Sequence, residues 1–400
     1  MREEKMMILS MLEEGKITAE EAVKLMEALE DVDSTKEYAK TNQNGDKEEK
    51  TSRFQFNNLE DIGSDINNAL SNMFNGLKDI GNSFGLKGNY DTVTSDLDMD
   101  ISNIENPSLD LRAINGSIII RPWTRDNLLI KITSQYKNGL FNKDDKFYDF
   151  QVEDNKIVFT PTYNNGISIK LDVSLPEKNY DEIILNSTNG KIDIDDLNLN
   201  ILKCITTNAS VDIVDINSKD IIISTNNGKI ECKDTNSNKI DAITSNAIIS
   251  ILDTNCNYLD LSTANGKVVV RDANLISINA STSNGSIEVR DIKSESIHLL
   301  TSNGKIICDD FDLKKIKDVK LITSNGSINS NIHSIEKEVY FDLESSMGNI
   351  ILELPNLVYK TNKQVNLGLK KVIAHTFNFD EHVDNLKFVA STSNGSIKIS

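Results

Sequence analysis

The chain is poor in aromatic side chains and in cysteine. Aromatic residues make up 6% and hydrophobic residues 38% of its 400 residues, and there are four cysteines. Such a composition favours a thin aliphatic core. Cys232 and Cys308 occupy the same place in a repeat and would lie about 19 Å apart, beyond the reach of a disulfide. We therefore expect the cysteines to be reduced and buried, and their spacing matches no metal site.

Positive charge and long apolar runs are also scarce. Lys and Arg number 43 against 61 Asp and Glu, a formal net charge of −18. So acidic a chain is repelled by nucleic-acid phosphates and by anionic lipid headgroups, which argues against both as partners. No run approaches the ~20 apolar residues of a transmembrane helix. The opening MREEKMMILSMLEEGK lacks the uninterrupted apolar stretch of a signal peptide. The expected location is the cytoplasm.

What the chain has in abundance is a repeat of 19 residues. It is centred on an asparagine that is preceded at −2 by Ser or Thr, followed at +1 by Gly or Ala, and followed at +7 by aspartate. The asparagines are Asn189, Asn208, Asn227, Asn246, Asn265, Asn284 and Asn303, with Asn325 after a short insertion. The aspartates are Asp196, Asp215, Asp234, Asp253, Asp272, Asp291 and Asp310. A fixed period of this length is typical of stacked repeat architectures.

Within each repeat, apolar residues alternate with polar ones on both sides of the asparagine. Positions −6, −4 and −2 face one way, as in Ile221, Ile223 and Thr225, and positions +3 and +5 do likewise. The pattern predicts two short strands and two turns per repeat. A β-solenoid rung of about 19 residues and an antiparallel meander closed by Asn-Gly turns both fit. Because Ala209 and Ala247 replace glycine and resist the positive φ of such turns, we predict the solenoid.

Stacking would place both polar columns at the rung spacing. The aspartates would approach to ~5 Å, which costs about 1 kcal/mol per neighbouring pair in a water-like dielectric. Either an Asx turn at each corner or a cation between rungs would offset this repulsion. The calcium-binding nonapeptide pattern is absent, which favours the Asx turn, and no metal or cofactor is predicted. The asparagines are predicted to stack their side-chain amides, a structural role.

The N-terminal part of the chain has helical rather than strand periodicity. Residues 1–30 predict a helical hairpin in which Thr18 and Glu21 form a capping box. Residues 31–55 are charged and polar and predict a flexible linker. Residues 56–86 carry an apolar residue at every third or fourth position, Leu70 among them, and predict an amphipathic helix. Its polar face is acidic, which favours packing or coiled-coil-like self-association over binding to a membrane surface.

The strand pattern begins near residue 90. Residues 90–182 alternate less regularly and predict the N-terminal part of the solenoid, with 138–150 as a loop or insertion. Residues 183–330 contain the regular repeats. In residues 331–400 the repeat degenerates, with a worn copy at Ser345 and a clean copy beginning at Thr392, which predicts terminal rungs and a cap.

Two sequence features resemble known bacterial families. The Thr-Ser-Asn-Gly-Ser/Lys-Ile repeats, preceded by Val173-Ser-Leu-Pro-Glu-Lys, resemble the β-strand-repeat "putative adhesin" domain of unknown function. The segment Glu-Glu-Gly-Lys-Ile-Thr-Ala-Glu-Glu-Ala, starting at Glu13, resembles the SHOCT-like helical module, and the pair resembles the YvlB-like proteins. The resemblance implies a β-solenoid and a link to cell-envelope stress, with cell-surface exposure without a classical signal peptide as an alternative location. It implies no catalytic residues.

Three functions follow as hypotheses. The first is a non-enzymatic interaction scaffold that engages a protein partner, or itself, through residues 1–85. The second is a surface adhesin or a sensor of cationic antimicrobial peptides, because the acidic chain attracts cations. The third is a polysaccharide-active β-helix enzyme, which is disfavoured because the carboxylates recur on every rung and catalysis needs two in different environments. The histidines have no ligand spacing, and Arg271 and Arg290 are predicted to form ion pairs.

Overall fold

The 19-residue repeats stack as a parallel β-solenoid in a computed structural model of the chain. The structure describes residues 89–332, 337–364, 369–380 and 384–400, together with positions 68, 70 and 382. Val211 pairs with Ile192 on one side and with Ile230 on the other, so neighbouring strands are offset by one repeat. The predicted mainly β solenoid is therefore confirmed, and the repeats do not pair as an antiparallel meander.

Twelve consecutive strands form the regular part of the stack. They are β8 (Asn179–Ser187), β9 (Ile192–Thr206), β10 (Val211–Thr225), β11 (Ile230–Thr244), β12 (Ile249–Thr263), β13 (Val268–Asn274), β14 (Ser277–Thr282), β15 (Ile287–Lys293), β16 (Ser296–Thr301), β17 (Ile306–Phe311), β18 (Asp318–Thr323) and β19 (Ile328–Ser330).

Each of the longest strands continues through a bend at the aspartate column, where the sequence predicted a corner. Strand β10 has 15 residues and turns at Asp215, whose φ is 52°. Ile213, before the bend, and Ile216, after it, both have fully buried side chains. A rung therefore has a third inward-facing segment. Strands β9 to β12 each run through it without interruption, whereas the later repeats contain the two strands that were predicted, such as β13 and β14. The strand is not interrupted there because one residue in a left-handed conformation turns the chain while the ladder continues beyond it.

The core is one continuous column of aliphatic side chains between the walls of the solenoid. At position +3 it contains Ile192, Val211, Ile230, Ile249, Val268, Ile287 and Ile306, all completely shielded from solvent. The four cysteines are free and buried, as predicted. Burial raises the pKa of each of these thiols, to about 12 for Cys256, so they stay protonated at neutral pH.

At the N-terminal end, chain order and spatial order differ. The strands are β1 (Tyr90–Asp100), β2 (Ser108–Arg112), β3 (Asn115–Trp123), β4 (Asn127–Lys137), β5 (Tyr148–Glu153), β6 (Lys156–Pro161) and β7 (Ile167–Pro176). Strands β2 and β3 pair in parallel with β8 and β9, and β6 and β7 stack on the far side of them. Strands β1, β4 and β5 then close this end with antiparallel pairs. The change of pairing protects the last rung from edge-to-edge association.

The C-terminal end is also rearranged. Its strands are β20 (Val339–Ser345), β21 (Ile350–Leu352), β22 (Leu357–Gln364), β23 (Lys370–Thr376), β24 (Leu386–Thr392) and β25 (Ile397–Ile399). Strands β24 and β25, the last in sequence, pair directly with β18 and β19. The worn copy in β20 and β21 lies outside them, next to the antiparallel strands β22 and β23. The clean copy thus continues the stack, and the degenerate copy ends it.

The predicted helical hairpin (1–30), the linker (31–55) and most of the amphipathic helix (56–86) lie outside the described residues. Within the amphipathic segment, positions 68 and 70 are helical, and Leu70 is only 3% exposed. Among the described residues, no helix has the length and apolar character needed to cross a membrane.

Candidate interaction surface

The asparagines of the repeat form a ladder along one corner of the solenoid. From Asn189 onward, each Nδ2 donates a hydrogen bond to the Oδ1 of the asparagine on the preceding rung, over 2.5–2.8 Å. The ladder contains Asn115, Asn189, Asn208, Asn227, Asn246, Asn265, Asn284, Asn303, Asn325 and Asn394. The structure therefore places all the predicted asparagines together. It adds Asn115 and Asn394 from the rearranged ends.

Beneath this ladder, threonine hydroxyls bridge successive rungs by hydrogen bonds, and glycines allow the backbones of those rungs to approach closely. The Thr282 hydroxyl accepts the Gly285 N–H at 3.1 Å and donates to the carbonyl of Gly266 at 3.1 Å. A Cβ at Gly285 would lie 1.6 Å from that same carbonyl oxygen. Glycine is needed here because successive rungs approach so closely, and not because of a positive φ. Ala209 and Ala247 occupy this position on two rungs, each between rungs that carry glycine.

The aspartate column has a different role in the backbone. Asp196, Asp215, Asp234, Asp253, Asp272, Asp291 and Asp310 all have φ between 48° and 57°. Asp and Asn tolerate this left-handed conformation better than other residues with side chains. All of these side chains except that of Asp310 are exposed. Among the described residues, no group of three or more His, Cys, Asp or Glu is placed to hold a metal ion. The column therefore marks the bend in each rung and carries negative charge along it.

A second asparagine ladder, which the sequence reading missed, lies just beyond the bend. Asn255 donates to Asn236, and Asn236 donates to Asn217, each over 3.1 Å. Beside it, Asn257 donates to Asn238 over 2.9 Å. The two rows border an open groove of about 460 Å³, which we call the asparagine groove. The recurrence of Asn at position +9 was the available signal; it was overlooked because no strand was predicted there.

A charged cluster occupies the outer wall formed by β13, β15 and β17. The Glu288 carboxylate is within 2.6 Å of Lys267 Nζ and 2.7 Å of Arg271 Nη2, and Arg290 Nε contacts it at 3.0 Å. Arg290 also reaches Asp309 at 3.3 Å. The two arginines form ion pairs, as predicted, although their partners are Glu288 and Asp309 and not the adjacent column aspartates.

The Glu288 cluster makes stability depend on pH. The hydrogen bonds from Lys267 and then Arg271 lower the pKa of Glu288 to about 2. A carboxyl group whose pKa is depressed by folding stabilises the protein above its unfolded pKa, and the contribution is lost as pH falls toward 2. Because both cations are partly in solvent, we expect Glu288→Gln to cost about 1–2 kcal/mol at pH 7 and much less near pH 2. Urea denaturation at both pH values measures this, and an equal cost at both would contradict it.

One serine, histidine and aspartate lie close together on this rod, but not as a catalytic triad. His298 Nε2 is 2.5 Å from Asp318 Oδ2 and 3.3 Å from Ser296 Oγ. In a triad the acid and the nucleophile contact opposite nitrogens of the ring, whereas both contacts here fall on one nitrogen. His298 and His375 are half-buried.

Two segments of the chain match models of known families. The model of the SHOCT-like domain matches residues 3–34, and the model of the Toastrack DUF4097 family matches residues 106–275. The chain is 25% identical to YvlB of Bacillus subtilis (strain 168) over 220 residues, which is 52% of this chain. The alignment spans 58% of that relative's length. The resemblance inferred from the repeat and the N-terminal segment is thereby confirmed.

Several solved structures are similar at low identity. One is a "putative adhesin" of Bacteroides fragilis, with 12% identity, a TM-score of 0.30, and coverage of 79% of this chain and 100% of the other. Another is a "putative lipid binding protein" of Parabacteroides distasonis, with 12% identity, a TM-score of 0.39, and coverage of 78% and 98%. A "putative adhesin" of Parabacteroides merdae has 14% identity, a TM-score of 0.33, and coverage of 61% and 98%.

Proposed function

We propose that this YvlB-like chain, with its SHOCT-like and Toastrack DUF4097 segments, is a non-enzymatic scaffold that binds a component of the cell envelope. The observation that carries the proposal is the exposed, repeated array of identical amides in the asparagine groove. Neighbouring asparagines are hydrogen-bonded at the rung spacing of ~4.8 Å, so their free N–H and C=O groups recur at that interval. A linear polymer with regularly spaced hydroxyl or amide groups is the partner that such an array matches.

The surroundings of the groove favour an uncharged partner over a charged one. The amides of Asn236 and Asn255 are neutral, whereas the aspartate column beside them repels anions. In this proposal the chain participates in the response to envelope stress from the cytoplasm. Exposure at the cell surface is the alternative, and fractionation with protease accessibility distinguishes the two locations.

The second candidate is a surface adhesin or a sensor of cationic peptides. The observation that favours it is the exposed aspartate column within a chain of net charge −18. Attraction of that kind is long-ranged and weakens steeply as salt screens it. A polysaccharide-active enzyme has less support, because the His298 contacts do not make a triad and the carboxylates of the column share one environment.

The proposed function is tested by sedimenting the purified full chain with isolated cell-envelope material. A variant carrying Asn236→Asp and Asn255→Asp places two carboxylates in the groove and replaces amide donors with acceptors. We expect it to bind at least about tenfold more weakly, as when several polar contacts are lost together. The matched control carries Ser210→Asp and Ser250→Asp, which add the same charge to another outer wall.

Equal binding by both double variants would contradict a role for the groove. Binding by the unaltered chain that disappears between low and high salt, with no difference between the variants, would favour the cationic-peptide sensor. Shortening of a polymer in the envelope material during the incubation would favour the polysaccharide-active enzyme.

A further inference from the structure

One strip of outward-pointing side chains is shielded from solvent. It consists of Ser224, Asp241, Ile243, Ser262 and Ser281, which we call the covered strip. These residues alternate with inward-facing core residues on strands β10, β11, β12 and β14, so their side chains point away from the core. Nevertheless Ile243 is only 2% exposed and Asp241 only 8%.

The shielding is confined to these rungs and does not extend to the same repeat position on the neighbouring rungs. On the two rungs that flank the strip, Ile205 and Leu300 occupy the same position as Ile243 and are only half-buried. On another outer wall of the same rungs, Ile248 is 42% exposed. Something therefore lies over the middle of this wall.

The described strands do not supply that cover. Strands β10, β11 and β12 contact one another and their lateral partners β9, β13 and β14, which lie edge to edge with them. Ile243 and Ala264 are buried but do not belong to the hydrophobic core of the described residues. In the part of the chain that the structure describes, Leu70 is the one other buried apolar residue outside this core.

The polar atoms of the strip indicate that the cover is apolar. Ser224 Oγ and Asp241 Oδ1 are buried without a hydrogen-bond partner. The other Asp241 oxygen accepts a hydrogen bond from Lys239 at 2.6 Å, on the edge of the strip. Burial raises the pKa of Asp241 above its ordinary value. A covering layer with polar side chains would have offered these atoms partners.

We propose that the amphipathic segment 56–86 docks its apolar face, including Leu70, across the covered strip. The contact makes the segment an internal ligand of the solenoid.

The dimensions agree with this docking. As a helix, the stretch between Gly63 and Gly76 would be about 18 Å long, and the strip from Ser224 to Ser281 spans about 14 Å. Strand β1 begins at the N-terminal end of the stack, five strand spacings or about 24 Å from the rung of Ser224. The 19 residues from Leu70 to Asn89 would cover about 28 Å as a helix, so the segment reaches the strip without strain.

Thiol labelling of the full chain tests the proposal. Ser224→Cys places a reporter in the strip and removes a hydroxyl that has no partner, and Ser250→Cys places one on another outer wall. The labelling rate of each introduced thiol is measured by mass spectrometry of the peptide that contains it. This rate is divided by the labelling rate of the same thiol in the urea-unfolded chain. We expect the strip thiol to react at least about tenfold more slowly than the control thiol. Leu70→Asp should raise the labelling rate at position 224 at least about tenfold and leave the rate at position 250 unchanged.

Two further variants identify the occupant. Asp65→Ser, on the predicted polar face of the segment, should leave labelling at position 224 unchanged, and so should Leu25→Asp in the predicted hairpin. Circular dichroism establishes that each variant retains its strands. The proposal fails if the strip thiol reacts as fast as the control in the otherwise unaltered chain. It also fails if Leu70→Asp has no effect, if Leu25→Asp releases the strip instead, or if protection is lost on dilution, which would indicate a second copy of the chain.

Discussion

Replacing Ile249 with aspartate is expected to destabilise the solenoid by more than about 4 kcal/mol, because it buries a carboxylate with no partner. Ile249 is fully buried in β12 and pairs with Ile230 and Val268 on the neighbouring rungs. Each rung of a solenoid is held only by its neighbours, so the damage should spread to the adjoining rungs. Urea denaturation followed by circular dichroism gives the size of the loss, and hydrogen exchange shows how many rungs open.

The matched control is the preceding residue. Ile248 has the same side chain on the same rung but points outward and is 42% exposed. Ile248→Asp should change the free energy of unfolding by no more than about 0.5 kcal/mol. Comparable losses for the two substitutions would mean that the assignment of inward and outward positions is wrong.

Gly285→Val is expected to cost about 3 kcal/mol or more, because the added side chain meets a backbone atom that cannot be moved cheaply. A Cβ at this position would lie 1.6 Å from the carbonyl oxygen of Gly266. Relieving that overlap requires the two rungs to separate at the corner, where Thr282 bridges them. We expect a lower midpoint of thermal unfolding and loss of the hydrogen-exchange protection of the Gly285 amide.

Ser286→Val is the control for this prediction. It adds a valine one residue further along, where the side chain points outward and is partly exposed. Its expected effect is within about 0.5 kcal/mol. If Gly285→Val lowered the free energy of unfolding no more than the control does, close approach of the backbones could not explain why glycine follows the ladder asparagines.

Much of the fold was predictable because the repeat encodes it locally. The alternation around Thr225, Ile223 and Ile221 fixes which side chains face inward, and the constant period fixes the register between rungs. The corner asparagines were predicted for the same reason. The reason for the neighbouring glycine was not, since φ at Gly285 is ordinary and the constraint is a contact with the preceding rung.

The candidate surface was less predictable than the fold. The asparagine groove depends on a bend at the aspartate column that brings Asn217, Asn236 and Asn255 onto a third side of the rung. Sequence shows that these residues recur, but not that they point outward. The Glu288 cluster joins Lys267, Arg271 and Arg290 from neighbouring rungs. The sequence predicted ion pairs for the arginines but did not identify Glu288 as their partner.

The sequence by itself determined that the repeats stack in parallel with aliphatic side chains inward, because burial of one face at a constant period admits few other arrangements. Only the tertiary structure decided the order of the rungs at the two ends. Strands β24 and β25 are inserted between β18–β19 and the worn copy, since a clean repeat extends the Asn and Gly columns, whereas Met347 in the worn copy replaces the asparagine and is exposed. The exposure of each outer wall likewise depends on contacts between residues that are distant in sequence. A local sequence pattern does not reveal such contacts.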